Sequence, residues 1–188
     1  MLGYRVSNIQ NIPSARANTF FAEGTYIILL YANRIPPHLS FMYEGLVYSL
    51  SVSGPKAGVK FEELQRLIGK KNIECLYFKL KNPEFGGNGK AIHKLLKTVT
   101  TRYKTVDTSI ATCLYPIRDF SIKAYGVDVT NVRFIFDLLP ILYEHELVLG
   151  CYQQNMGRMI YCGEFTLRNY DMSDIENCIN QYKEAITQ

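Results

Sequence analysis

The sequence predicts an α+β fold in which a mainly antiparallel sheet packs against helices. Three observations support this prediction. Apolar runs of strand length occur early in the chain, two segments alternate like a β-hairpin, and later segments carry apolar residues at helical spacing. The order of strand, hairpin, short helix, strand and then helices lacks the regular strand–helix alternation that would predict a parallel sheet.

The first part of the chain predicts a buried strand and a β-hairpin. Residues 26–32 (YIILLYA) form a continuous apolar run between turn residues, which is typical of a buried strand. Residues 38–43 and 46–52 alternate around a Glu-Gly turn and predict the two hairpin strands. Residues 54–58 (GPKAG) are rich in glycine and proline and predict a loop.

The middle of the chain predicts a helix, a strand and a second helix. Residues 61–68 carry apolar side chains at helical spacing, and Gly69 stands where this helix would end. Residues 73–80 predict a strand, and residues 90–104 predict a helix with one apolar and one basic face.

A further helix is predicted to begin close to Cys113. Proline is tolerated only in the first turn of a helix, so Pro116 fixes the start, and Gly126 would end the helix. Residues 132–150 predict one or two apolar elements that are broken at Pro140.

The C-terminal part predicts a strand over residues 158–167 and a final amphipathic helix. Ser173 and Glu176 have the spacing of a capping box at the start of this helix. The apolar positions of the helix are Ile175, Ile179, Tyr182 and Ile186.

Composition and length predict one globular domain with an N-terminal arm. The chain has 188 residues, of which 47% are hydrophobic and 20% are charged, which excludes a disordered chain or a coiled coil. We assign residues 1–23 to the arm and residues 24–188 to one domain with a C-terminal extension from about residue 130. The longest apolar run is far shorter than the roughly 20 residues of a membrane span. With no signal-peptide pattern at the N-terminus, we expect a cytoplasmic or virion location.

Charge is distributed unevenly along the chain. Residues 1–104 contain 15 lysines and arginines against 6 acidic residues, whereas residues 105–188 contain 6 against 11. A basic half can bind a polyanion, but an ordinary solvated surface is the favoured interpretation here. The basic face of the helix predicted over residues 90–104 has no interleaved aromatic residues, so nucleic acid is not an expected partner.

Five cysteines raise the question of whether one is a nucleophile. Their number is odd and no CxxC pair occurs, so neither a disulfide framework nor a zinc site is expected, and we predict no metal and no cofactor. Cys113 is the cysteine predicted at the start of a helix, where backbone N–H groups stabilise a thiolate. The alternative is a buried, unreactive thiol near a helix end.

A cysteine nucleophile needs a base, and the chain has three histidines. His93 lies in the middle of a lysine-rich helix, and His145 lies between two acidic residues. His38 begins a strand directly after two prolines, whose rigid backbone would fix its position. By elimination, His38 is the best candidate for the base.

Several segments, taken in order, resemble the circularly permuted NlpC-type papain-like amidases, the YiiX-like group. The similar segments are residues 24–28 (GTYII), 38–41 (HLSF), 47–55 (VYSLSVSGP), 58–64 (GVKFEEL), 77–80 (YFKL) and 113–126 (CLYPIRDFSIKAYG). In that family a strand is followed by a histidine that opens a hairpin, and the nucleophilic cysteine opens a later helix.

The resemblance implies a permuted papain-like fold and a cysteine amidase or peptidase, either a thiol hydrolase or an acyltransferase. Its substrates would be peptide amides or acyl groups, such as peptidoglycan peptides. Cys113 would attack the carbonyl group and His38 would carry the proton. The residue that orients the histidine falls on Ser51, with Ser49 as the alternative register, although the family usually has glutamate or another strongly polar residue there.

The alternative interpretation is a papain-like module without catalytic activity. The weak third residue, and Leu114 in place of the serine that typically follows the cysteine, favour this interpretation. Such a module would bind partners or build a structure, for example in a phage or virion. The apolar residues 132–150 would then offer a surface for a protein partner.

Overall fold

The computed structural model describes residues 3–13 and 17–187, with nine strands and six helices in these ranges. The strands are β1 Tyr4–Val6, β2 Ile9–Asn11, β3 Thr25–Leu30, β4 His38–Tyr43, β5 Leu46–Ser51, β6 Gly54–Lys60, β7 Cys75–Leu80, β8 Val148–Gln154 and β9 Phe165–Leu167. The helices are α1 Ala17–Ala22, α2 Phe61–Lys71, α3 Gly89–Thr101, α4 Tyr115–Tyr125, α5 Ile135–Glu144 and α6 Met172–Thr187. The predicted α+β class with a mostly antiparallel sheet is confirmed.

Seven strands form the main sheet, in the order β2-β8-β7-β3-β4-β5-β6. All neighbours are antiparallel except β2 and β8, which are parallel. β1 and β9 form a separate two-stranded sheet. Of the arm predicted over residues 1–23, β1 and β2 therefore pair with C-terminal strands, while residues 1–2 and 14–16 lie outside the described residues.

The central strands of the sheet are covered on both faces. β3 is buried along its whole length, as its continuous apolar run predicts. In β4, Leu39 and Phe41 belong to the core cluster that includes residues of α3, α4 and α5. Met42, which points to the opposite face, belongs to a second cluster with residues of α1 and α2.

The predicted hairpin is confirmed as β4 and β5, but the prediction of a loop over residues 54–58 is wrong. These residues belong to β6, which pairs with β5 from Ser51 opposite Gly54 to Leu46 opposite Lys60. β6 is an edge strand, where proline is tolerated because one side of the strand needs no hydrogen bonds. Pro55 is therefore compatible with the strand.

Two helix predictions also differ from the structure. α2 continues through Gly69 to Lys71 and ends at Asn72, which adopts the left-handed conformation with φ 48°. Asparagine tolerates this conformation better than most residues, so it replaces glycine as the cap. Pro140 lies inside α5 and does not break it.

The C-terminal predictions are shifted along the chain. Of residues 158–167, the strand β9 contains the last three. The capping box is formed by Asp171 and Asp174, not by Ser173 and Glu176. The Asp171 carboxylate accepts hydrogen bonds from the N–H groups of Ser173 (2.8 Å) and Asp174 (3.1 Å), and Asp174 accepts from the N–H of Asp171 (3.0 Å). The Ile186 side chain lies outside the described residues.

The packing of α4 on β4 positions the site. Phe41 and Phe120 have ring centroids 4.6 Å apart at an angle of 53°, and both rings are at most 2% exposed. α4 ends as predicted at Gly126, which has φ 69°. The start of α4 and the start of β4 are thus held by the same core.

We expect removal of the Phe120 ring to destabilise the protein by about 3–5 kcal/mol, because F120A leaves a cavity between β4 and α4. F120L keeps most of the apolar volume and should cost about 1–2 kcal/mol. Urea denaturation followed by circular dichroism measures both free energies of unfolding. Equal losses for the two variants would contradict the proposed packing role of the ring.

Candidate functional site

The turn before α4 positions Cys113. α4 begins at Tyr115 with Pro116 in its first turn, as the proline pattern predicts. The N–H of Tyr115 donates to the carbonyl oxygen of Thr112 (3.1 Å) and closes the turn that contains Cys113. Cys113 is half-buried and packs against the main core cluster and against the small cluster beneath α6.

The first residue of β4 is His38, opposite Leu30 of β3. β4 and β5 pair with Ser40 opposite Ser49. The same antiparallel register, continued by two residues, brings Ser51 opposite His38. His38 and Ser51 therefore lie at the same end of the sheet.

Cys113, His38 and Ser51 line one cavity of about 400 Å³. This cavity lies between the start of β4, the end of β5, the turn before α4, and α6. Most of its lining is apolar, and its apolar residues include Pro36, Pro37, Val52, Leu114, Ile175 and Ile179. The structure thus brings together the three residues that the sequence predicts for the site.

The thiol of Cys113 is protonated at neutral pH. Burial raises its pKa from 9.0 to about 11, and the neighbouring Cys178 adds to this increase. The backbone N–H groups of Leu39 and of Cys113 itself oppose the increase by stabilising the thiolate. The sulfur atom therefore lies where backbone donors can reach a negative charge.

The imidazole of His38 is neutral at neutral pH. Burial lowers its pKa from 6.5 to about 4, and the positive charge of Lys56 lowers it further. Among the hydrogen bonds of the described residues, none joins the His38 ring to Cys113 or to Ser51. Within the described residues, Cys113 and His38 therefore form no thiolate–imidazolium ion pair.

The Ser51 hydroxyl is held in the turn between β5 and β6. Its oxygen lies 2.9 Å from the Ser53 hydroxyl oxygen, and it donates to the carbonyl oxygen of Gly54 at 3.1 Å. Because this donation uses the only proton of the hydroxyl, the oxygen can act towards an imidazole N–H only as an acceptor.

A second cavity, of about 340 Å³, adjoins His38 on the side of α2. His38 and Tyr31 line both cavities, and Ser49, the alternative third residue, lines only the second. Ser40 also lines the second cavity. His38 is in phase with Ser40 along β4, so its Cβ points to the face of α2. At the first position of the strand it also borders the cavity that contains Cys113.

Sequence reasoning missed the contribution of α6 to the cavity wall. Ile175, Cys178, Ile179 and Tyr182 line it from one face of the helix. Ile175 and Ile179 also form a small buried cluster with Leu50. Their helical spacing was the available signal, but it predicts an apolar face without saying what that face covers.

His93, His145 and the cysteines other than Cys113 and Cys178 do not line this cavity. His93 is 2.8 Å from the Tyr48 hydroxyl and 3.6 Å from a Glu44 carboxylate oxygen, and so connects α3 to the hairpin. His145 is exposed. Of the cysteines other than Cys113, Cys75 and Cys151 are buried, whereas Cys162 and Cys178 are exposed.

The structure also shows where the basic helix face and the apolar segment 132–150 lie. The basic side chains predicted on the helix over residues 90–104 are exposed. In the segment 132–150, Ile135 and the leucines of α5 enter the core, while Leu149 is 56% and Tyr143 is 39% exposed. A protein partner at this segment stays a prediction.

Residues 3–13 and 17–187 contain no group of three or more histidine, cysteine or acidic side chains that could hold a metal ion. No helix within them combines the length and the apolar character that crossing a membrane requires.

Comparison of the chain with protein-family models, curated proteins and solved structures found no match. The geometry of the cavity is therefore the basis for a functional proposal.

We expect the stability of the protein to fall as the pH decreases from about 6.5 towards 4. In this range the unfolded chain binds a proton at His38, whereas the folded protein, with its lowered pKa, does not. The loss amounts to at most about 3 kcal/mol. H38Q should remove this component, so that the variant loses less stability than the unsubstituted protein over this range.

Urea denaturation at a series of pH values between 4.5 and 8, about the range in which histidine titrates, measures the effect. H145Q is the matched control, because the side chain of His145 is exposed, and it should retain the pH dependence of the unsubstituted protein. Parallel curves for H38Q and the unsubstituted protein would show that His38 is not held neutral in the folded state.

Proposed function

We propose that the protein is a cysteine-dependent amidase or peptidase with a circularly permuted papain-like fold. Cys113 is the nucleophile and His38 is the general base. The observation that carries the proposal is the shared cavity, which is lined both by a cysteine just before a helix and by a histidine at the start of a strand. Substrates are peptide amides or acyl groups, in an acyl-transfer reaction.

The chemistry starts from a neutral thiol and a neutral imidazole. With pKa values of about 11 and about 4, neither Cys113 nor His38 is charged at pH 7. The thiol proton therefore moves to His38 while the sulfur attacks the substrate carbonyl carbon. Catalytic hydrogen bonds that are long in a ligand-free enzyme often tighten when the substrate binds.

The rest of the cycle follows from the same two groups. The tetrahedral intermediate collapses to a thioester on Cys113, and His38 returns the proton to the departing amine or alcohol. Water, deprotonated by His38, then hydrolyses the thioester, or another nucleophile takes the acyl group. The N–H groups of Leu39 and Cys113, which already act on the sulfur, are the nearest donors for the oxyanion.

Kinetic assays with p-nitrophenyl esters and with peptidoglycan-derived peptides test the proposal. We expect C113A to lower kcat/KM by at least about 1000-fold and H38Q to lower it about 100- to 10,000-fold. C162S, an exposed cysteine outside the cavity, is the matched control and should keep its activity. Mass spectrometry of the quenched reaction should find the acyl group on Cys113.

Activity that survives in C113A would overturn the proposal. So would an acyl group trapped on another cysteine. The pH dependence gives a further check, because kcat/KM should stay constant between the two pKa values, from about pH 5 to about pH 10.

Ser51 is a positioning residue in this proposal. Its oxygen accepts a hydrogen bond from the imidazolium that forms when His38 takes the thiol proton. We expect S51A to lower kcat about tenfold, since a hydrogen bond to a charged group is lost, and to move the acidic limb of the kcat/KM profile to lower pH. Ser53 lies outside the cavity lining, and S53A also removes the contact between the Ser51 and Ser53 hydroxyl groups. This variant should change neither kcat nor the acidic limb of the kcat/KM profile. Equal effects of the two substitutions would reduce Ser51 to a structural role in the turn.

A second candidate function is a binding module that uses the same cavity without catalysis. The pKa of Cys113 favours it, because burial holds the thiol protonated, and so does the absence of a carboxylate among the residues that line the cavity. Under this alternative, neither esters nor peptides are hydrolysed, and C113A binds cavity ligands as well as the unsubstituted protein does.

A further inference from the structure

The charges of the cavity have one sign. Among the described residues, its lining includes two arginines, Arg34 and Arg133, and no aspartate or glutamate. All other lining residues are apolar, aromatic, or carry hydroxyl, thiol or imidazole groups. Any ligand that fills this space meets an apolar surface and a positive charge.

Apolar and charged residues occupy different depths. Leu39 and Leu114 are at most 2% exposed, and Val106 is 8% exposed. Both arginines are exposed. The apolar part of the cavity therefore lies within the protein, and the guanidinium groups lie at its solvent side.

Neither arginine forms an ion pair with a residue that the structure describes. Among the described residues, no carboxylate oxygen lies within 4.0 Å of the Arg34 or the Arg133 guanidinium group. The Arg34 guanidinium lies 4.2 Å from the centroid of the Tyr31 ring, which holds it at the cavity without neutralising it. Arg133 also lines a neighbouring surface cavity.

We propose that the cavity binds a small amphipathic carboxylate, with an apolar chain inside and its anionic group at Arg34 and Arg133. A volume of about 400 Å³ lies near the lower end of the range for small-molecule sites. The inference rests on the proposed function in that this ligand is the carboxylate product, which hydrolysis of the thioester releases from Cys113. Arginine recognises a carboxylate through paired N–H donors, whereas a cationic ligand would be repelled.

Binding to C113A, which cannot form a thioester, tests the inference by isothermal titration calorimetry. The probes are hexanoate, decanoate, decan-1-ol and decyltrimethylammonium. The ionic probes are used below their critical micelle concentrations, and decan-1-ol is used below its solubility limit. We expect decanoate to bind most tightly. Affinity should rise about fourfold per buried methylene from hexanoate to longer chains, and decyltrimethylammonium should bind most weakly.

Single substitutions of the arginines test the charge contribution. We expect R34Q and R133Q, each made in C113A, to weaken decanoate binding about threefold to fivefold and to leave decan-1-ol binding unchanged. R66Q, an exposed arginine of α2 outside the cavity, is the matched control for the net charge of the protein and should bind decanoate as C113A does. Higher salt should weaken the binding of decanoate but not of decan-1-ol.

Equal affinities for decanoate and decyltrimethylammonium would overturn the inference, as would unchanged decanoate binding in both arginine variants. The failures of the two proposals are distinguishable. Selective binding of decanoate without any turnover would support the proposed ligand and contradict the proposed enzymatic function. Turnover at Cys113 with no preference for the anion would support the enzymatic function and contradict the proposed ligand.

Discussion

The contact between α4 and β4 is the constraint on which the site depends. Phe41 and Phe120 meet within the core cluster that also contains Leu39 and Leu114. Leu39 follows His38 and Leu114 follows Cys113, so the two functional candidates are each one residue away from a core side chain. Because a packed core deforms little, the backbone at both residues has little freedom. The cavity is the space left at the end of this contact, closed on one side by α6.

The same burial that builds the cavity sets the chemistry that is possible in it. Removing water raises the pKa of Cys113 and lowers that of His38, and both effects oppose charge separation in the resting protein. Under the proposed mechanism, the Cys113 proton leaves only while the sulfur bonds to a substrate carbonyl carbon. The negative charge then develops near the N–H donors of Leu39 and Cys113, so that proton transfer and bond formation occur together.

Some predictions that depended on local sequence succeeded, whereas the helix end at Gly69 and the capping box at Ser173 and Glu176 were wrong although they too are local patterns. The alternation around the Glu-Gly turn fixed the hairpin, and Pro116 and Gly126 fixed the ends of α4, because each pattern acts within a few residues. The sequence did not predict β6, because its glycines and proline are typical of a loop. They are compatible with a strand only at the edge of a sheet, which the local sequence does not reveal. The register that brings Ser51 opposite His38 follows from the hairpin, but the participation of α6 in the cavity depends on packing across more than 60 residues.

The charge of the cavity shows the same limit most clearly. The first part of the chain is strongly basic and the last part is acidic, which suggests that a positively charged site would belong to the first part. Yet Arg34 comes from the basic part and Arg133 from the acidic part, while the exposed lysines of α3 are not among the residues that line the cavity. Net charge summed along the chain measures attraction at long range. Recognition of a ligand depends instead on the few charges that the fold leaves unpaired beside an apolar space, and only the tertiary structure identifies these.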